Sequence, residues 1–132
     1  MVTDFEDLAI YQMSRALAKQ VYKITKTGIR ASSGSISDNI VEGFERQGTK
    51  EFKNFIIIAK GSCGELRSQI NRAYDAEWID KATYEQMYND CRKLAISINR
   101  FLQTLKTSSY EGSRYSKNPL QPNPNDSNHS NL

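Results

Sequence analysis

The chain of 132 residues carries 18 Lys and Arg against 15 Asp and Glu, for a formal net charge of +3, with 38% hydrophobic and 25% charged residues. That length holds one domain. A mean hydropathy of −0.65 and a longest apolar run of only residues 55–59 exclude a membrane-spanning helix, and the charge balance is too mild to identify a polyanionic partner by itself.

Residue types exclude several chemistries. The one histidine, His129, lies near the C-terminus, which removes Ser-His-Asp and Cys-His catalysis, HExxH zinc sites and Glu-x-x-His di-iron sites. Cys63 and Cys91 stand apart, with no CxxC spacing, so no metal site is expected. No GxxxxGK[ST] or GxGxxG loop occurs to cradle phosphates, and no cofactor is expected. The opening MVTDFEDLAI is acidic, unlike a signal peptide, and with two unpaired thiols it predicts a cytoplasmic protein.

A first helix is predicted from Thr3 or Asp4 to Lys26. Ala9, Met13, Ala16, Leu17, Val21 and Ile24 recur at helical steps as its buried face, and Thr27-Gly28 supplies a stop. Opposite that face, Arg15, Lys19, Lys23 and Lys26 fall within roughly 80° of arc. This basic stripe reads either as the solvated outside of a bundle helix or as a phosphate-binding surface.

The segment 35–46, SISDNIVEGFER, has apolar residues at helical spacing with Ser, Asn and Gly crowded between them. Asn39, Glu42 and Arg46 fall on one side. In an enzyme they would be a catalytic cluster. Without a base, a metal set or a phosphate loop, the preferred reading is an inter-helix hydrogen-bond network, with Glu65 a possible fourth member.

Two unbroken heptad seams follow. Phe52, Ile56, Ala59, Cys63, Leu66, Ile70 and Ala73 mark one helix; Tyr84, Met87, Cys91, Leu94, Ile98, Phe101 and Leu105 mark the next. Folded antiparallel about residues 77–80, with Asp80 as N-cap, they oppose only apolar residues when facing positions add to 157. Cys63 and Cys91 then sit in adjacent core layers as buried, reduced thiols. Ile57 and Ile58 lie off the seam beside Gly61 and Gly64, which suggests a second buried face, a subunit contact. From Ser108 onward the chain is rich in Ser, Asn and Pro, so 1–107 is read as the folded body and 108–132 as a disordered tail.

These strings resemble the signature of the four-helix-bundle family known as 23S rRNA intervening-sequence proteins. The resemblance is carried by Ser35, Ile36, Asn39, Ile40, Glu42, Gly43 and Arg46. A second part comprises Glu51, Phe52, Phe55, Ile58, Ala59, Gly61, Ser62, Glu65 and Leu66. It implies an all-α, up-down antiparallel four-helix bundle without enzymatic activity. Members are often encoded within insertions in bacterial 23S rRNA genes, and related proteins form ring-shaped homopentamers. A distantly similar accessory protein of diversity-generating retroelements binds nucleic acid and a reverse transcriptase.

The expected protein is therefore a non-enzymatic, ring-shaped homo-oligomeric scaffold that binds structured RNA or DNA through basic surfaces, with no membrane and no small-molecule substrate in view. A protein–protein adaptor whose stripe pairs with an acidic partner is the alternative. The family residues Ser35, Asn39, Glu42, Gly43, Arg46, Gly61 and Glu65 are expected to be structural. Two departures stand out: Ser37 occupies a position where the family usually has Pro, and a family loop after the first helix is missing. Because Ile29-Arg30-Ala31 resembles the middle of the family's second helix, the join at Gly28 and Ile29 predicts that these two are not bonded and that an unseen loop separates them.

Overall fold

The computed structural model describes residues 2–24 and 27–106. Within them lie four α-helices: α1 (Ala9–Ile24), α2 (Thr27–Glu45), α3 (Thr49–Asp75) and α4 (Lys81–Leu105), preceded by a 3-10 turn at Phe5–Asp7. Each helix packs on its chain neighbours, and α4 closes back on α1, giving the antiparallel four-helix bundle. The tail over 108–132 and Lys26 lie outside the described residues.

The α3 seam is buried at every position: Phe52, Ile56, Ala59, Cys63, Leu66, Ile70 and Ala73. On α4, Met87, Cys91, Leu94, Ile98 and Leu105 are buried, but Tyr84 and Phe101 are only half-buried and Leu102 goes inside. Because α4 touches both α3 and α1, its apolar arc is wider than a single heptad seam. Contacts across the hairpin pair Phe52 with Phe101, Cys63 with Cys91 and Tyr74 with Tyr84. Their numbers add to 153, 154 and 158, within one helical turn of the expected register. Asp80 caps α4, its carboxylate accepting from Thr83 N at 2.7 Å. Hydrogen bonding to Thr83 holds its pKa below the usual carboxylate value.

The first helix differs from its prediction. Asp4 caps the 3-10 turn, Leu8 is extended, and the α-helix starts only at Ala9. The buried face is Ile10, Ser14, Leu17 and Val21, whereas Ala9, Ala16 and Ile24 are exposed and Met13 is half-buried.

The predicted break between Gly28 and Ile29 is wrong. Helix α2 runs without interruption from Thr27 to Glu45 through both residues, so they are bonded and Ile29 is a buried member of its first turns. The expectation assumed that α1 continues to Gly28; α1 stops at Ile24, which returns the start of α2 to Thr27. Nor does α2 need a proline at 37: the helix continues through Ser37, whose hydroxyl donates to Ser14 Oγ at 3.1 Å.

The result is a lopsided bundle. At 1.5 Å per residue, α1 and α2 span roughly 24 and 28 Å, against roughly 40 and 37 Å for α3 and α4. The far end of the longer hairpin is faced with tyrosines. Tyr74 stacks on Tyr84 at 4.3 Å between centroids, and Tyr84 donates its hydroxyl to Asn71 Oδ1 at 2.9 Å. At the turn itself Glu77 takes a φ of 61°, and Trp78 is 72% exposed.

Candidate nucleic-acid interface

Residues of the two motif strings face each other along the α2–α3 contact. Ser32 donates to Glu65 Oε1 at 2.8 Å, the Ser35 and Ser62 hydroxyls share a 2.8 Å hydrogen bond, and Arg46 Nη1 lies 3.5 Å from Glu51 Oε2. In each pair the numbers add to 97, so one antiparallel register runs the length of the seam. Gly43 lies one residue off that register, against Phe55 and Phe52. A Cβ built there would be 2.8 Å from Phe55 Cβ, 2.9 Å from a Phe52 ring carbon and 3.3 Å from the Phe52 carbonyl oxygen. Glycine is required because the two backbones come too close for any side chain.

The expected single network of Asn39, Glu42, Arg46 and Glu65 does not form. Asn39 donates back to Ser35 O and Oγ at 2.8 and 3.0 Å. Glu42 Oε1 accepts from Arg46 Nε and Nη2, both at 2.8 Å, on an exposed edge. The Arg46 guanidinium also rests 5.2 Å from the centre of the Phe55 ring. Each polar group finds a nearer partner one turn away, and Glu65 is taken by Ser32. No open cluster converges on a shared point. Among the described residues no group of three or more His, Cys, Asp or Glu is placed to hold a metal, and no helix is long and apolar enough to cross a membrane.

The remaining singled-out α3 residues point away from the core. Ile57 and Ile58 are each 51% exposed, and a Cβ at Gly61 or Gly64 would meet nothing within 4 Å. These glycines therefore have no packing role inside the chain. The two thiols do: Cys63 Sγ donates to the Cys91 carbonyl at 3.4 Å, both side chains are buried, and hydrogen bonding with Cys63 and burial push the Cys91 thiol far above its ordinary pKa.

Arg15, Lys19 and Lys23 project from the outer face of α1, all exposed and none in an ion pair or side-chain hydrogen bond. They share a shallow, open surface of α1 with Gln12, Ala16, Ala18 and Tyr22. The sequence reading missed Arg30. From α2 it reaches across to donate Nη2 to the Tyr22 carbonyl at 2.8 Å, in the last turn of α1, and its Cζ lies 5.2 Å from the Tyr22 ring centre. Its charge satisfies the helix C-terminus while staying on the surface. A plain signal was available: between Asp7 and Asp38 the chain carries Arg15, Lys19, Lys23, Lys26 and Arg30 and not one acidic residue.

Gln20 Nε2 donates to Asp90 Oδ2 at 2.8 Å, fixing α4 beside α1. Lys93 and Arg100, three and ten residues further, share that flank of α4 and are exposed. Asp90 itself is held by Gln20 and Gln86.

The fold and its seam define a class: an antiparallel four-helix bundle whose α2–α3 contact is built from a Ser/Asn/Glu/Gly/Arg string facing a Glu/Phe/Ser/Glu string. The chain belongs to the 23S rRNA-intervening sequence protein family, whose model matches residues 6–100. The matched span reaches from the 3-10 turn to the last turns of α4. No curated protein matches the chain.

Proposed function

We propose that the protein is a non-enzymatic, self-associating scaffold that binds structured RNA or DNA through the outer face of α1. One observation carries this reading: the positive charge is one-sided. Five cations and no acid lie between Asp7 and Asp38, while the other 13 Lys and Arg face all 15 Asp and Glu, so the rest of the chain is net −2. Charges on one face add their potentials at a phosphate backbone, whereas a mixed surface cancels them. Self-association repeats that face around an assembly. Its proposed contact is the α3 surface of Ile57, Ile58, Gly61 and Gly64, where a second copy would cover two exposed isoleucines over a smooth backbone.

Fluorescence anisotropy with a labelled duplex, repeated over a series of salt concentrations, tests the reading. Three to five phosphate contacts give a log–log slope of about −2.7 to −4.5, and Lys19→Ala flattens it by about 0.9. Absence of binding at low salt overturns the proposal. Equal binding of polyglutamate, charge for charge, transfers the surface to an acidic protein partner instead.

A further inference from the structure

Tyr22 is the aromatic residue set into the basic face, and its surroundings are specific. It is 49% exposed, an unusual position for a ring so close to the α1–α2 groove. Its hydroxyl lies where a Cβ on Gly34 would be 3.5 Å away, so the ring extends over α2 at a position that presents no side chain. The Arg30 guanidinium sits over it and is itself tied to the Tyr22 carbonyl, so the two groups are fixed relative to each other. Beside the ring, on the same open outer face of α1, lie Arg15, Lys19 and Lys23.

Those three cations recur every fourth residue, about 6 Å apart along the helix axis. They form a ladder for one phosphate backbone, with a stacking surface at its side. A duplex keeps its bases inside and has no use for an exposed ring; an unpaired strand does. Resting on the nucleic-acid reading above, we infer that the exposed ring of the Tyr22–Arg30 pair receives an unstacked base of a single-stranded segment whose phosphates run along Arg15, Lys19 and Lys23. The preferred ligand is then a loop or unpaired strand rather than a continuous helix.

Anisotropy with a labelled single-stranded oligonucleotide and with a duplex of the same length separates the levels of the claim. Wild-type protein should bind the single strand more tightly. Tyr22→Ala should weaken single-strand binding about ten-fold or more, the loss of one base–aromatic stack, and leave duplex binding within about two-fold. Tyr22→Phe should retain the preference, since the ring and not the hydroxyl stacks. Tyr22→Leu, which keeps apolar bulk over Gly34, should lose it and guards against a folding artefact, with circular dichroism checking each variant. A Tyr22→Ala protein that binds both ligands as before, or loses both equally, overturns the base-stacking inference. The parent reading fails by a different sign: Lys19→Ala/Lys23→Ala then leaves both ligands and both salt slopes unchanged.

Discussion

Gly43 and Gly61 are both helical glycines of the family signature, and the same substitution at each should move stability in opposite directions. Alanine in place of glycine inside a helix is worth about 1 kcal/mol in intrinsic propensity. At Gly61 nothing opposes that gain, because a Cβ meets no atom within 4 Å, so Gly61→Ala should stabilise the protomer by up to about 1 kcal/mol. At Gly43 the new methyl meets Phe55 Cβ at 2.8 Å and the Phe52 carbonyl oxygen at 3.3 Å. The Phe55 Cβ is fixed to its own backbone, so no side-chain rotation relieves the contact and α2 must move off α3. Overpacking of that kind costs about 1–3 kcal/mol, leaving a net change between about zero and a loss of about 2 kcal/mol once propensity is subtracted. Urea titrations followed by circular dichroism, at a protein concentration where mass is constant across the variants, measure both. A Gly43→Ala that stabilises the protomer as Gly61→Ala does refutes the close α2–α3 approach. If Gly61→Ala is as damaging as Gly43→Ala, the face around Gly61 is covered within the folded unit.

Ile70→Ala should cost about 2–5 kcal/mol in the same titration, because Ile70 is fully buried in the α3 seam and its removal leaves a cavity. Asp7, which closes the capping box of the 3-10 turn, and Asp80, which caps α4, have pKa values held below the ordinary one, Asp7 chiefly by hydrogen bonds from Thr3 and Asp80 by those from Thr83. Their stabilisation is therefore present above the unfolded-state value, near 4, and is lost as the pH falls through the lowered folded values. Melting temperatures should decline on acidification below about pH 4, and less steeply for Asp80→Asn than for wild type. Cys63 and Cys91 should resist a thiol reagent such as dithionitrobenzoate in native buffer and react together in denaturant; rapid reaction under native conditions would contradict their burial. Ile57→Lys or Ile58→Lys should reduce particle mass in light scattering, and an unchanged mass removes α3 as the subunit contact.

The parts of this structure legible in the sequence are those where one periodicity runs uninterrupted. The α3 seam is read correctly because seven apolar residues recur without a break, and only a helix with one buried face produces that pattern. The buried face of α1 differs from its reading because the pattern there is weak: a serine, Ser14, takes an inside position, alanines at 9 and 16 are too small to reveal which side they occupy, and of Ile10 and Ile24 only Ile10 is inside. Charge was legible as a stripe on α1 but not as a surface, since Arg30 and Tyr22 meet across an inter-helix connection. Gly43 stood in the motif as a letter; the reason for it, a backbone approach, belongs to the packed helices and to neither string alone. Spacing put Asn39, Glu42 and Arg46 on one side, but proximity to Ser35 and to each other decided their bonds.

The position of Trp78 also determines what optical spectroscopy will see. It is the protein's single tryptophan, and it stands 72% exposed on the hairpin turn. Its emission in the native state should already resemble that of an indole in water, and acrylamide should quench it freely. Unfolding therefore changes intrinsic fluorescence little, and a flat denaturation curve from this probe would not mean a molten core. The same exposure makes it a sensitive reporter for contacts at the tip: a blue shift with loss of quenching signals that something has been seated over the end of the α3–α4 hairpin, the end of the bundle that the last turn of α1 also reaches, without any label attached.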